Sequence, residues 1–480
     1  MHRGLMSLAL GAMLLWGCSQ PRKAEPQGWN EIAHVDAHWA LDFMKQNHPG
    51  FVKQVADQAL MARWELARRE VEARLPMVNS EAAYHALMRG VAARMSDPHI
   101  GFKPASETED INWSGLVLSL QGYDWRVAGD RAGRLTGATL VSCDGKEADE
   151  WATSRISAFK DDASVWAMKA GSASWLMLDE GNPFLKRAET CNFSFPDGRS
   201  EDVPLVWEAA KRDEVSAYID SVSPIADAGL SVSKIGEGYW VSVASLLSID
   251  DLTAEIERRS EELKTAPWVV LDLRGNTGGD TYYSNRILRV LAGEQAFEDS
   301  IKRLSCAASF FRTSQGNIEK FEAYRDQQIE RGGDASGLEN MIQKMKLFRT
   351  LGLSLWPNYR PCEAVSEAER PSEPVPLEMK GRLAVVVDRN CFSSCLILVD
   401  QLSKLGVPLL GEPTGWNNQY MEVRWADTPS GKGQFSTLMK VVVGVPQYGP
   451  YQPDVPYQGA MSDTSKLKAW VIDEILPKLG

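Results

Sequence analysis

The sequence predicts an α/β protein whose central sheet is built from parallel strand–loop–helix units, and two junctions carry that prediction. The first is Val269-Val270-Leu271-Asp272-Leu273-Arg274-Gly275-Asn276-Thr277-Gly278-Gly279-Asp280, an apolar run ending in a glycine loop, followed by a helical pattern from Tyr282 to Leu291. The second is Leu383-Ala384-Val385-Val386-Val387-Asp388, which runs through Arg389-Asn390-Cys391-Phe392-Ser393-Ser394 into a helical pattern from Leu396 to Leu405. Uninterrupted apolar runs mark strands buried on both faces. Glycines directly after such a strand let backbone N–H groups approach a ligand closely. The first N–H groups of the following helix lack intrahelical partners and can hold a developing negative charge.

A third short strand, Pro408-Leu409-Leu410, ends in Gly411-Glu412-Pro413-Thr414-Gly415. These three motifs, in this order, resemble the tail-specific (C-terminal processing) and tricorn core protease family of serine peptidases, over roughly residues 231–454. The resemblance implies a crotonase-like (ClpP-like) catalytic domain with parallel-strand ββα units. It also implies a serine nucleophile opening a helix and an oxyanion hole made by N–H groups of Gly278, Gly279 and Ser394. Two serines compete for the nucleophile. Family members carry a glutamate three positions after it, and Leu396 occupies that place when Ser393 is the nucleophile, so Ser393 is preferred and Ser394 stays open. Taken alone, either hydroxyl also suits a helix N-cap.

A serine hydroxyl needs a base. The tail-specific branch uses a lysine just past the Gly-Glu-Pro-Thr turn, where this chain has Trp416-Asn417-Asn418-Gln419. Lys432 and Lys440 lie further on, in what read as a turn and a strand. The tricorn core branch uses a histidine after an N-terminal helical domain, and the chain has 6 histidines. His99 fits that pattern: in Ser96-Asp97-Pro98-His99-Ile100-Gly101-Phe102 the proline stops a helix and starts an extended segment. A histidine's ordinary pKa of about 6.5 suits it to take the serine proton and return it to the leaving amine. The orienting carboxylate is assigned to Asp454, in a Pro-Asp motif that the family carries, with Asp97 and Glu412 as rivals.

Length and composition fit a multi-domain exported enzyme. The chain has 480 residues, is 44% hydrophobic and carries a net charge of −12. There is no basic stripe, so nucleic acid is not an expected partner. His2-Arg3, an apolar stretch from Leu5 to Trp16, and Leu15-Trp16-Gly17-Cys18-Ser19 read as a lipoprotein signal peptide over residues 1–17 with lipidation at Cys18. The expected location is the periplasmic side of a bacterial cell envelope, as an outer-membrane lipoprotein held by the lipid alone, with residues 18–28 as tether. Six cysteines remain, and the reading pairs Cys306 with Cys362 and Cys143 with Cys191. Cys391 and Cys395 flank the proposed nucleophile, either bonded or as free thiols. No cofactor or metal site is expected.

Residues 29–105 read as an N-terminal helical domain. Residues 111–208 read as a degenerate PDZ-like module or a plain β insert, because Leu135–Lys146 resembles a PDZ strand and turn without a clear carboxylate-binding loop. Residues 231–480 form the catalytic domain, with a charged helical insertion at about 298–378. The leading function is a serine peptidase acting on a peptide or protein substrate. The alternatives are a ligand- or peptide-binding protein with catalysis lost, and an esterase or amidase using the same site.

Overall fold

The computed structural model describes residues 28–303, 308–358, 376–443 and 447–479. Its centre is a six-stranded sheet in the order Leu230–Ile235, Gly238–Val243, Trp268–Asp272, Arg382–Val387, Leu409–Gly411, Val455–Pro456. The first pair is antiparallel and every later pair is parallel. The apolar runs are buried on both faces, as their lack of alternation demands. Val241, Leu271, Val385 and Leu409 pack under the helices Asp250–Arg258, Thr281–Ala292 and Ser394–Lys404. Trp240, Val270, Val386 and Leu410 pack on the opposite face against Leu467, Val471 and Ile475 near the C-terminus. Between the second and third strands the chain forms two helices, Asp250–Arg258 and Ser260–Thr265, broken at Arg259.

A second sheet lies beside the first. Its long strand Gly433–Val443 pairs with Tyr420–Asp427, with Ala308–Arg312 and with Phe102–Pro104. Helices Trp29–Asn47, Gln58–Arg74 and Glu81–Ala93 cover it, and Leu41, Met44, Tyr84 and Leu87 share one core with Tyr420, Phe435, Leu438 and Val441. The N-terminal helices therefore share a common core with the strands of the second sheet. The insertion is anchored there too: strands Ala308–Arg312 and Leu355–Pro357 hold the helical pair Gln315–Glu330 and Ser336–Thr350 on this sheet. Its charged pattern concealed those two strands.

Residues 116–204 contain a separate antiparallel sheet in the order Leu116–Gln121, Asp124–Asp130, Thr139–Cys143, Thr190–Ser194, Ser200–Pro204, packed on helix Ala148–Phe159. Cys143 and Cys191 form a disulfide between paired strands, and Cys391 and Cys395 form a second. The pairing expected for Cys306 and Cys362 lies outside the described residues, as do Cys18 and the leader. No helix among the described residues is long and apolar enough to cross a membrane.

His48 locks the turn after the first helix. Its Nδ1 accepts the Gly50 N–H (3.0 Å) and its ring packs edge-on against Tyr420 at 4.3 Å. Burial pushes its pKa down to about 4, against the upward pull of Asp97 and Asp57. In the unfolded chain a histidine takes its proton near pH 6.5, whereas the folded chain resists it until about pH 4. Stability is therefore lost as pH falls through that window, by up to about 3 kcal/mol. Asp161 and Asp388, both pushed up to about 6 by burial, act in the opposite sense. The thermal midpoint should fall less between pH 7 and 4 in His48→Gln than in the wild type; parallel curves would contradict this account.

Candidate active site

The glycine loop is held by buried polar contacts. Asp272 and Arg274 form an ion pair of 2.7 Å with both side chains at 0% exposure. Trp240 Nε1 donates to Asp272 Oδ2 (3.0 Å), and Arg274 donates to the Met461 carbonyl (2.5 Å) and Thr464 Oγ1 (3.2 Å). A buried pair is tolerable only when such partners satisfy both ions, and removing one ion typically costs about 3–5 kcal/mol. Beyond it, Asn276 Nδ2 donates to the Val243 carbonyl (2.7 Å), and the Asn276 carbonyl accepts the Phe392 N–H (3.2 Å). Leu246 and Gly279 form a parallel bridge. The Asp-Leu-Arg-Gly-Asn run thus ties the loop to the strand on one side and to the serine turn on the other.

Ser393 stands at the head of helix Ser394–Lys404 with φ 56° and ψ −123°, a conformation a non-glycine residue rarely adopts. Such strain persists only where surrounding structure imposes it, and a sharp strand-to-helix turn of this kind lifts a hydroxyl clear of the sheet. The Cys391–Cys395 disulfide brackets the turn, and the Cys391 N–H bonds the Asp388 carbonyl (3.0 Å). The two serines are unlike. Ser394 Oγ donates to the Gly279 carbonyl (2.6 Å) and is buried, whereas Ser393 Oγ has no hydrogen-bond partner among the described residues.

Gly278 presses against this turn. A Cβ there would lie 2.7 Å from both the Phe392 carbonyl oxygen and Ser393 Cβ, and its φ is 97°. Its N–H is already donated to Asn276 Oδ1 (2.8 Å). Of the three N–H groups expected to hold an oxyanion, that of Gly278 is thus engaged, while those of Gly279 and Ser394 have no partner among the described residues.

His99 reaches the same place through a strand. Phe102–Pro104 pairs antiparallel with Gly433–Phe435, the Gly101 N–H donates to Ser436 Oγ (2.7 Å), and Ser436 Oγ donates to the His99 carbonyl (2.9 Å). The imidazole then packs, tilted by 39°, against Phe392, the neighbour of Ser393, with ring centroids 4.4 Å apart.

The carboxylate beside His99 belongs to Asp97, the rival of Asp454 for the orienting role. Asp97 Oδ1 lies 3.3 Å from His99 Nδ1, off hydrogen-bond geometry, and accepts the His99 N–H at 2.9 Å. Asp97 Oδ2 accepts from Asn418 Nδ2 (2.7 Å). Burial pushes the Asp97 carboxyl up, but the His99 and Asn418 contacts outweigh it and hold the carboxyl below its ordinary value. Asp454 instead accepts the Leu409 N–H (2.8 Å), fastening the edge of the central sheet. Glu412 is half-buried, its carboxyl is pushed up by desolvation, and it lines a cavity of about 630 Å³ with Asp388.

Neither remaining lysine joins the site. Lys432 Nζ sits 5.6 Å from the Trp29 ring, and Lys440 pairs with Glu422 at 3.4 Å. Asn418 and Asp161, whose charge adds to that of Asp97, escaped sequence reading. The Asp-x-His spacing was the available signal for Asp97, and for Asn418 it was its place in Trp416-Asn417-Asn418-Gln419, where the resemblance expects a lysine.

Gly278→Ala should strain the elbow and displace Ser393. We expect a loss of about 1–3 kcal/mol in stability and at least a roughly tenfold slower reaction of the serine with a fluorophosphonate. Unchanged melting and labelling would show that the glycine is not pressed on the turn.

Three comparisons bear on this geometry. Among solved structures, mature CPAF complexed with lactacystin is similar over 93% of this chain and 100% of its own, at 11% identity and a TM-score of 0.58. The crystal structure of mature CPAF covers 94% and 99%, at 11% identity and a TM-score of 0.59. At that identity the likeness is one of fold. No curated protein sequence matches the chain. Residues 241–433 match the model of peptidase family S41. Both junctions and the Gly-Glu-Pro-Thr turn fall within that match, so the chain carries a peptidase family S41 domain and with it the scaffold of a serine-type peptidase.

Proposed function

We propose that the chain is an exported, lipid-anchored peptidase that hydrolyses peptide bonds through Ser393, His99 and Asp97. The observation that carries this reading is the strained backbone of Ser393, whose unengaged hydroxyl stands at a helix head pressed by the glycine loop. In the reaction, Ser393 Oγ attacks the substrate carbonyl carbon while His99 Nε2 takes its proton. The carbonyl oxygen becomes an oxyanion held by the N–H groups of Gly279 and Ser394. Asp97, on the Nδ1 side of the ring, holds the imidazole and stabilises the imidazolium. The C–N bond then breaks as His99 gives its proton to the leaving amine. Water, deprotonated by the same histidine, hydrolyses the acyl-enzyme.

On this reading the six-stranded sheet is a crotonase-like catalytic unit, the first three helices are an N-terminal helical domain, and residues 111–208 are a degenerate PDZ-like module or a β insert. Leu15-Trp16-Gly17-Cys18-Ser19 supports lipidation of Cys18 and an outer-membrane, periplasm-facing location. The substrate is an unstructured peptide or protein segment.

The test is cleavage of unfolded casein by the full chain, with products read by mass spectrometry. Ser393→Ala and His99→Ala should each lower kcat by at least about a thousandfold, and Asp97→Asn by a smaller but large factor, with folding intact. Asp454→Asn should act through stability alone. Cleavage that survives Ser393→Ala would overturn the assignment.

A further inference from the structure

We propose that Asn418 is a positioning residue: its amide fixes the Asp97 carboxylate in the place from which that carboxylate holds the His99 ring. The inference rests on the peptidase reading of Ser393 and His99 and adds a fourth group to it.

The amide has one possible orientation. Asn418 Oδ1 accepts the Tyr420 N–H (2.8 Å), so Nδ2 must face the other way, where it donates to Asp97 Oδ2 at 2.7 Å. The backbone beneath it is fixed as well, because Asn417–Asn418 pairs with Gln447–Tyr448. Tyr420 is held in turn by its hydroxyl on Asp57 Oδ2 (2.8 Å) and by the His48 ring. A continuous chain of contacts therefore runs from the buried His48 and the half-buried Asp57 through Tyr420 and Asn418 to Asp97 and His99.

Asp97 needs such a partner. It is 5% exposed, and its other oxygen is occupied by the His99 N–H. The 3.3 Å approach to His99 Nδ1 lies off hydrogen-bond geometry, so a small rotation of the carboxylate decides whether the ring is held. Asn418 is the side-chain donor that sets that rotation. An amide does this without adding charge. A cation there would neutralise the carboxylate that the imidazolium requires, and a carboxylate would repel it. The charged and titratable groups that face Asp97 are His99 on its own segment, Asp161 from the segment after helix Ala148–Phe159, His48 from the turn after the first helix, and Tyr420 from the second sheet.

The experiment measures the rate at which a fluorophosphonate labels the full chain from pH 5 to 9, with Ser393→Ala as the blank and thermal melting as the check on folding. Asn418→Ala should be labelled about tenfold more slowly at pH 7, with the acidic limb of its rate–pH profile displaced from that of the wild type. Asn418→Asp keeps the shape but removes the donor. It should be slowed at least as much at pH 7, and its deficit should narrow as the pH falls and a proton shared between the two carboxylates restores a donor. A space-filling role predicts instead that Asn418→Asp behaves like the wild type. Wild-type rates and profiles in both variants would overturn the positioning role alone. A folded wild type labelled no faster than Ser393→Ala would overturn the peptidase reading and this role with it.

Discussion

Everything at the candidate site depends on the pairing of Phe102–Pro104 with Gly433–Phe435. The elbow and glycine loop belong to one sheet, whereas the histidine belongs to the end of a helical segment with no sequence proximity to either. Three residues of antiparallel ladder, reinforced where the Gly101 N–H meets Ser436 Oγ 335 positions away, carry His99 to Phe392. Such a short ladder is worth little by itself. It is made rigid by the core beneath it, where Tyr84, Leu87 and Met95 pack with Phe435, Leu438 and Val441. The N-terminal helices therefore act as part of the active-site scaffold.

The second constraint is the fully buried Asp272–Arg274 pair. Sequence reasoning takes the Asp-Leu-Arg run as the approach to a glycine loop, and the contacts give each residue a separate task. The ion pair joins the loop to the C-terminal segment through Met461 and Thr464, Asn276 ties it to Val243 and Phe392, and Gly278 closes on Ser393. Engagement of the Gly278 N–H by Asn276 follows from the same tightness: the loop that approaches the serine most closely has spent one donor on its own geometry.

What the sequence made legible was local. Helix expectations at Tyr282–Leu291 and Leu396–Leu405 correspond to Thr281–Ala292 and Ser394–Lys404, because strand, turn and helix there follow one another within a few residues and each carries its own pattern. The extended segment after His99 was legible from Pro98, but its partner Gly433–Phe435 was not, since a three-residue ladder leaves no periodicity. The two strands flanking the helical insertion were hidden by the charged segments around them. Asp454 drew attention because a Pro-Asp motif is a familiar family feature, yet a carboxylate at a strand edge is equally suited to an unpaired N–H, and Leu409 supplies one. For Asn418 the sequence offered only its place in the segment where the resemblance expects a lysine, and no role. Its role depends on Tyr420 and Asp97 meeting it from two different elements.

The central claim is that the strained turn presents Ser393, and not its neighbour, to a base supplied by the N-terminal segment. It is tested most directly by reacting the full chain with a fluorophosphonate and mapping the adduct by peptide mass spectrometry, in the wild type and in His99→Ala. The account predicts a single adduct on Ser393 that is lost in His99→Ala. An adduct on Ser394, or one on Ser393 that forms equally well without His99, would contradict it.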